Sequence, residues 1–251
     1  HRKFYHPSNS YIYLYGDIDV EEKLNWIDEN YLQNFDHDFV DSKIELQEPF
    51  PKLRQIEQEY SLSEDEEVKD NTYLSYNMVL GLSLDIETSM AMQILEYVLL
   101  SAPGAPLKQA LIDAGIGKDI LSSYDSDTYQ TTLSIIAKNS EKEKKDEFLQ
   151  IIKETLEQII EDGLDLKSLR AGINFYEFRY READFGSYPK GLMYGIQMLS
   201  TWLYDDLQPF SHLGFEVFDK LKERIGTDYY TDLIKEYLLN NTHASLVILT
   251  P

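Results

Sequence analysis

The sequence contains no cysteine, so it can form no disulfide bond, no thiolate metal site and no cysteine nucleophile. No apolar run approaches the roughly 20 residues of a membrane-spanning helix, and the first residues carry no apolar targeting core. The lack of cysteine suits a reducing compartment. We therefore expect no membrane partner and a cytoplasmic protein, or an organellar one in a eukaryote.

Positive charge is scarce. Lysine and arginine number 23 against 45 aspartates and glutamates, which gives a formal net charge of −22. This charge repels the phosphates of a nucleic acid and an anionic membrane surface, so we predict no nucleic-acid partner. Hydrophobic residues make up 43% of the 251 residues. They suffice for a sizeable core in one large domain, or in one domain with part of a second.

The sequence motifs of several enzyme classes are also missing. There is no Walker loop and no Gly-x-Gly-x-x-Gly fingerprint for nucleotides, and no Gly-x-Ser-x-Gly elbow for a serine hydrolase. No two of the five histidines have the i, i+4 spacing of a helical zinc pair. We expect His212 and His243, which lie beside turns, to donate to backbone carbonyls. We therefore predict no catalytic residue, no metal ligand and no cofactor in this chain.

The first part of the chain predicts one strand, one helix and a linker. Residues 10–15 are rich in aromatic and β-branched side chains and follow a Pro-Ser-Asn turn, which predicts a strand. Residues 20–34 have apolar side chains at helical spacing. Residues 36–71 are interpreted as a linker with one or two strands, and their acidic run at 63–67 as a solvated loop tip.

A second unit is predicted from Thr72 onward. Alternating apolar residues predict a strand over 73–80 and a hairpin over 120–138. Helical spacing, together with caps such as Asp85 and Gly163, predicts several helices. Two of these helices begin after Asp85 and at Pro106, and two more cover residues 148–160 and 165–182. Another follows the turn at 186–189, with Leu192, Ile196, Leu199 and Leu203 at helical spacing. Two further helical stretches lie within residues 215–239, and a strand is predicted over 244–249. This order predicts an α+β fold, with helices covering a largely antiparallel sheet.

Two segments of the chain have the same shape. Residues 9–16 and 242–249 are each a polar turn followed by an apolar strand. If both strands close the same kind of unit, the chain runs from the end of one unit to the end of the next and is a fragment. The predicted domains are residues 1–35, the closing strand and helix of a preceding domain; residues 36–71, a linker; and residues 72–251, a second α+β domain.

One basic segment stands out in this acidic chain. Residues 175–192 read FYEFRYREADFGSYPKGL, in which Arg179, Arg181 and Lys190 surround a Gly/Pro turn that contains Tyr188. Two interpretations stay open. These side chains contact a peptide carboxylate or a neighbouring domain through bidentate arginine contacts, or Arg–Glu pairs simply fasten two helices. The pattern favours the second interpretation.

This segment, with WLYDD at residues 202–206, resembles the pitrilysin/insulinase superfamily of zinc metallopeptidases, in the subgroup of presequence protease and falcilysin. The opening FYHPSNSYIYLYGD at residues 4–17 is similar to the strand that closes the first domain of that subgroup. The runs PGAPL at 103–107 and LIDAG at 111–115 are similar to its second domain. The resemblance covers nearly the whole chain.

The resemblance implies a metallopeptidase of the LuxS/MPP-like fold, built from four related α+β units that close around an unfolded oligopeptide. Zinc is held in the first unit by a His-x-x-Glu-His helix, whose glutamate is the general base. This chain would then comprise the end of the first unit and a non-catalytic second unit. Its implied partners are the remaining domains of the same polypeptide and the peptide substrate, and its parent enzyme would carry the zinc.

The helix of the second unit that resembles the zinc helix departs from the motif. Gln93 and Tyr97 stand where the two histidines would be, and only Glu96 matches. The resemblance therefore implies a non-catalytic portion of a zinc-dependent, oligopeptide-degrading metalloendopeptidase, inactive alone, that lines the peptide chamber and supports the catalytic domain. The alternatives are a catalytically inactive superfamily member that acts as a structural or partner-binding subunit, and an unrelated α+β binding module.

Overall fold

The computed structural model describes residues 1–63, 65, 67–183, 185–205 and 209–251, and these contain a five-stranded sheet. In spatial order the strands are β1-β5-β2-β4-β3. Only the β1–β5 pair is parallel, and the other three pairs are antiparallel. The predicted, largely antiparallel sheet is confirmed. Its strands are β1 (Arg54–Glu59), β2 (Thr72–Leu82), β3 (Asp119–Asp125), β4 (Gln130–Ser140) and β5 (Ala244–Thr250).

The strands at the centre of the sheet have the alternation that the sequence predicts. In β4, Leu133, Ile135 and Ala137 are buried, while the residues between them are more exposed. The register pairs Leu133 with Met78 and Ala137 with Leu74 on β2. Because side chains alternate along a strand, these residues lie on one face of the sheet and face the helices. The predicted hairpin is formed by β3 and β4.

The helices begin and end at the predicted signals. Asp85 and Asp165 accept hydrogen bonds from the backbone amides of Thr88 and Ser168, so each caps a helix. Gly163, with φ 83°, ends another. The helices are α1 (Val20–Asn30), α2 (Ile86–Glu96), α3 (Pro106–Asp113), α4 (Lys145–Asp162), α5 (Leu166–Glu182), α6 (Lys190–Trp202), α7 (Glu216–Glu223) and α8 (Tyr229–Leu233). α2 continues as the π-helical turn Tyr97–Ser101, and α8 as the π-helical turn Ile234–Leu239.

Helix α2 lies at the centre of the core. It contacts α5, α7, α8 and the strands β2 and β3, and Ile94 and Leu95 are completely buried in it. Phe148 of α4 and Phe218 of α7 are buried in the same cluster. The apolar faces of α2, α3, α4, α5, α7 and α8 therefore form one core on one face of the sheet.

The strand predicted over residues 10–15 is not formed among the described residues. These residues lie outside the sheet and contact α6 instead, with the Tyr11 ring 4.6 Å from that of Trp202. A strand needs a neighbouring strand for its backbone hydrogen bonds, and the described sheet offers none here. β1 lies within residues 36–71, where one or two strands were predicted, and it joins the same sheet as the later strands.

The apolar stripe predicted on α6 is at the surface rather than in the core. Its members remain exposed, while Gly191, Met198 and Thr201 of the same helix are buried. Gly191 and Thr201 are covered together with Met198, whereas the leucine and isoleucine side chains of the stripe lie on the exposed side of α6. The exposed members are Leu192, Ile196, Leu199 and Leu203.

Two further findings concern exposed parts of the chain. Of the predicted acidic loop tip, Ser63, Asp65 and Glu67 are exposed, whereas Glu64 and Glu66 lie outside the described residues. Within the part of the chain that the structure describes, no helix is both long enough and apolar enough to cross a lipid bilayer.

Candidate functional site

Residues 93–97, which the resemblance aligns with the zinc motif, lie at the end of α2, where the helix continues as a π-helical turn. Glu96 is the last residue of α2 and is 7% exposed. Its Oε1 accepts a hydrogen bond from Ser101 Oγ at 2.5 Å and another from Ser122 Oγ, also at 2.5 Å. Ser101 belongs to the π-helical turn and Ser122 to β3. The carboxylate therefore joins the end of α2 to the edge of the sheet.

The positions on either side of Glu96 carry packing side chains. The Tyr97 ring stacks on Phe175 of α5, with centroids 4.6 Å apart and an interplanar angle of 7°, and meets Tyr176 edge-on at 5.9 Å. Gln93, one turn earlier, is partly buried. Burial raises the pKa of the Tyr176 hydroxyl, and the nearby Glu96 charge raises it further. These side chains hold α2 against α5.

The residues at this position do not fit a zinc ion. Gln93 and Tyr97 are not the nitrogen or carboxylate ligands that catalytic zinc requires, and Glu96 is enclosed by two hydroxyl groups. Within the described residues, no three His, Cys, Asp or Glu side chains are grouped closely enough to hold a metal ion. The Glu96 carboxylate is therefore a structural group, and its two hydrogen bonds leave no place beside it for a metal-bound water.

Arg181 of the basic segment is engaged in a network between helices. Its Nη2 lies 2.8 Å from Glu177 Oε1, and Lys222 Nζ of α7 lies 2.5 Å from Glu177 Oε2. The hydrogen bond from Lys222 is the main reason why the pKa of the Glu177 carboxyl is lowered. The Arg181 guanidinium also lies over the Phe215 ring at 4.9 Å. This network fastens α5 to α7.

Two of the other predicted contact residues line an open hollow beside the Gly/Pro turn. Tyr188 and Lys190 line a shallow cavity of about 440 Å³ together with Phe178 and Phe185. Tyr188 is 64% exposed, and Lys190 Nζ donates to the Glu182 carbonyl oxygen at 3.4 Å. Arg179 is exposed, and its guanidinium lies over the Phe175 ring at 5.6 Å. The structure thus brings Tyr188 and Lys190 together and leaves Arg181 to the helix network. Asp184 and Asp206, which belong to the segments of the resemblance, lie outside the described residues.

A contact that sequence reasoning missed joins the chain's first residues to α6. Residues 11–15, which we call the tyrosine segment, place the Tyr15 ring over Gly191 and the Tyr13 ring over Gly195. A Cβ atom built on Gly195 would lie 2.9 Å from Tyr13 Cε1, closer than carbon atoms approach. The signal in the sequence was the alternation of tyrosines, together with two glycines one helical turn apart.

The two histidines beside turns differ in their contacts. His212 Nε2 lies 3.1 Å from the Ser83 carbonyl oxygen, so the predicted carbonyl contact is confirmed. Burial lowers the pKa of the His212 imidazole, although that carbonyl and the Asp127 charge act in the opposite direction. His243 Nε2 is buried and has no hydrogen-bond partner among the described residues, and its ring meets Phe50 edge-on at 4.7 Å. The prediction for His243 is therefore wrong at this nitrogen.

Comparison with known proteins identifies the family. The Peptidase M16 inactive domain family matches residues 1–175. The chain belongs to the peptidase M16 family. It is 42% identical over its whole length to protein HypA of Clostridium perfringens and 33% identical to presequence protease 1, chloroplastic/mitochondrial, of Arabidopsis thaliana. It spans only about a quarter of these relatives, 26% and 24% of their lengths respectively. The resemblance to the presequence-protease subgroup is confirmed.

Solved structures support the fold. A protease from Helicobacter pylori superposes with a TM-score of 0.63 at 14% identity, over 94% of this chain and 54% of that one. A peptidase M16 inactive domain from Pseudomonas fluorescens superposes with a TM-score of 0.60, also at 14% identity, over 94% and 52%. This chain is therefore an inactive M16 domain of a peptidase-family protein, with the fold of other M16 domains.

Proposed function

We propose that this chain is the non-catalytic portion of a zinc-dependent, oligopeptide-degrading metalloendopeptidase, in which it forms part of the peptide chamber and supports the catalytic domain. The observation that carries the proposal is the enclosure of Glu96. Its carboxylate is hydrogen-bonded to Ser101 and Ser122, and the neighbouring Tyr97 is stacked on Phe175. The helix end that would present the zinc motif is used here for packing.

Under this proposal the zinc ion and the general base belong to another domain of the same polypeptide. Residues 93–97 read QILEY, which corresponds to a His-x-x-Glu-His motif without its histidines. In the zinc-peptidase mechanism, the glutamate acts as base on a water whose pKa is lowered by the metal that binds it. Among the described residues, no group of three His, Cys, Asp or Glu side chains could place a metal beside Glu96. Its role is to fix α2 against β3, which stabilises the wall that this domain contributes.

The charge of the chain supports a chamber for unfolded peptides that carry positive charge. The formal net charge is −22, and a negative field raises the local concentration of cationic ligands. Tyr188 and Lys190 provide an exposed aromatic and an exposed basic side chain beside the shallow cavity, and Arg179 is exposed on α5. Because basic side chains repel a cationic peptide, we propose Tyr188, Lys190 and Arg179, rather than Arg181, as contacts to a carboxylate of the peptide or to another domain.

The proposal is tested by an assay of peptide cleavage. A quenched basic peptide of about 20 residues, the length of a short targeting segment, is incubated with the product of the full reading frame and with the 251-residue chain, each with and without a zinc chelator. We expect chelator-sensitive cleavage by the full product and none by the chain. Cleavage by the chain itself would mean that it holds a catalytic metal site.

A second function is favoured if the full product is inactive. The hydrogen bonds of Glu96 suit an inactive subunit equally well, because they do not depend on catalysis in another domain of the polypeptide. Absence of cleavage by a zinc-loaded full product would therefore indicate a structural or partner-binding member of the family.

A further inference from the structure

Side chains at the starts of β4 and β5 hold the segment that precedes β1. We call this segment, residues 41–53, the strap. The side-chain amide of Gln130 contacts its backbone twice, because Oε1 accepts from the Gln47 amide at 2.7 Å and Nε2 donates to the Gln47 carbonyl oxygen at 3.1 Å. Thr242 Oγ1 donates to the Phe50 carbonyl oxygen at 2.9 Å. The strap is therefore attached to the sheet by polar contacts with its backbone.

Phe50 is the apolar anchor of the strap. Every other residue from 41 to 59 is exposed, whereas Phe50 is partly buried. Its ring meets His243 edge-on with centroids 4.7 Å apart, and the Arg54 guanidinium lies over the same ring, also at 4.7 Å. Because β1 buries no side chain of its own, the contact of Phe50 with His243 supplies the apolar burial that keeps the strap and β1 in place.

His243 is buried against this anchor with one nitrogen unpaired. The residue is 7% exposed, and Nε2 has no hydrogen-bond partner among the described residues. Its backbone is fixed, since its amide donates to Asn241 Oδ1 at 2.8 Å and its carbonyl oxygen accepts from the Val79 amide at 2.9 Å. A buried polar atom without a partner costs free energy. Movement of Phe50 would let water reach this nitrogen and remove that cost.

Protonation of the imidazole affects the attached and released strap differently. Burial lowers the pKa of the His243 imidazole, because it penalises the charged form. A protonated imidazole would also place a second positive charge beside the ring that Arg54 covers. The titratable side chains on the elements that contact His243 are Glu48 and Lys52 on the strap, Arg54 on β1, Tyr76 on β2, and Lys235, Glu236 and Tyr237 on the helical turn before it. None of these groups contributes to the lowered pKa.

We infer that the strap is released by acid: protonation of His243 frees Phe50 and loosens residues 47–59, β1 included, while the central strands stay folded. At neutral pH the imidazole is uncharged and the strap is attached. As the pH falls below about 6.5, the pKa of an exposed histidine, the released state takes up the proton more readily and release becomes more favourable. The strap connects residues 1–35 to the second α+β unit, so its release loosens that connection. This inference does not depend on the proposed function.

The inference is tested by hydrogen exchange, measured by mass spectrometry on the product of the full reading frame at pH 7 and pH 5. Each rate is divided by the intrinsic exchange rate at that pH. We expect the relative exchange of residues 47–59 to rise by at most about 25-fold at pH 5. This is the limit for a histidine that titrates near 6.5 when released and stays neutral when buried. The central strand β4 should respond less.

The test variant is His243→Phe, which keeps an aromatic ring beside Phe50 but cannot take up a proton. Residues 47–59 of this variant should exchange about as fast as those of the wild type at pH 7, without the rise at pH 5. The matched control is His212→Gln. His212 is also buried, and burial lowers its pKa as well, but it contacts the Ser83 carbonyl oxygen rather than the strap. This control should keep the rise in residues 47–59.

Phe50→Ala keeps the inference testable if His243→Phe folds poorly. It removes the anchor and leaves the histidine, so residues 47–59 should exchange fast already at pH 7. The pKa of His243, measured from the exchange of its ring Cε1 hydrogen by mass spectrometry, should rise towards about 6.5. The control is Lys52→Ala, which changes an exposed residue of the strap and should alter neither the exchange nor the pKa.

Several results would overturn the inference. They are a wild type in which residues 47–59 do not respond to acid, an equal response in His243→Phe, a response that His212→Gln removes, an equal rise in β4, which indicates global unfolding, and an unchanged His243 pKa in Phe50→Ala. Peptide cleavage is not measured in any of these experiments. A full product that cleaves no peptide but shows the response of residues 47–59 keeps this inference and loses the proposed function.

Discussion

Glu96 is a buried carboxylate whose charge is met by two hydroxyl groups. No ion pair with it is found among the described residues, and both hydrogen bonds converge on Oε1. Hydrogen bonds to a charged acceptor are stronger than neutral ones. At the scale of single residues, the end of α2 is therefore stabilised by the Glu96 carboxylate. A catalytic base would have to be free of such hydrogen bonds.

We expect Glu96→Ala to destabilise the chain by about 1–2 kcal/mol, because Ser122 then loses its acceptor in a partly buried site. Glu96→Gln keeps an acceptor oxygen and should cost less. Urea unfolding measures both changes. The exposed Glu157→Ala serves as control and should change stability by less than about 0.5 kcal/mol. Equal stability of Glu96→Ala and the wild type would show that the two hydrogen bonds contribute nothing.

His212 makes the stability depend on pH. Burial lowers its pKa in the folded chain, whereas the unfolded chain keeps a value near about 6.5. Above that value both states are neutral and the stability is fully present. As the pH falls from about 6.5 towards the lower folded-state pKa, only the unfolded chain takes up the proton, so the free energy of unfolding decreases.

The expected result is a loss of stability between pH 7 and pH 5 that is smaller in His212→Gln. His243, whose pKa burial also lowers, retains part of the effect. Urea unfolding at both pH values, with the exposed His37→Gln as control, checks this. An identical loss in His212→Gln and the wild type would contradict the role of His212.

At the scale of elements, the sequence predicts where helices and strands begin better than what they contact. Asp85, Asp165 and Gly163 act through their own neighbours in the chain, so their caps are readable locally. The tyrosine segment was predicted as a strand because its composition suits one, but a strand also requires a partner that the described sheet does not supply. Likewise, spacing identified Glu96, whereas its contact with Ser122, 26 residues away, depends on the fold.

The contact between α5 and the end of α2 depends on a glycine. A Cβ atom on Gly172 would lie 2.9 Å from Val98 Cγ2 and 3.4 Å from Ile94 Cγ2. We expect Gly172→Ala to destabilise the chain by about 1 kcal/mol, since overpacking costs about 1–3 kcal/mol and the gain in helix propensity is about 1 kcal/mol.

Val98→Ala tests whether the contact between Val98 and the new methyl group at residue 172 causes this loss of stability. It makes room for the new methyl group, so the double variant should be more stable than the sum of the two single effects predicts. Thermal or urea unfolding of the three variants measures the coupling. Strict additivity would mean that Val98 and residue 172 do not meet.

At the scale of the whole molecule, the chain is an M16 domain in which helix α2 lies at the centre of the core. The family follows from the match over residues 1–175 and the full-length similarity to presequence proteases. The sequence predicted the α+β class correctly because its periodicities and caps agree with one another. It could not predict that α6 turns an apolar stripe outward, since the periodicity of a helix does not say which partner covers it.

The central claim, that this domain supports a peptidase without taking part in its chemistry, is tested most directly by the kcat/KM of the full reading frame's product and of its Glu96→Gln variant. The rate to compare is the chelator-sensitive cleavage of a basic peptide. We predict that the two values agree within about threefold, because loss of a true general base lowers the rate by about 10²–10⁴-fold. A loss of that size in a correctly folded, zinc-loaded variant would place Glu96 in the catalytic machinery and contradict the claim.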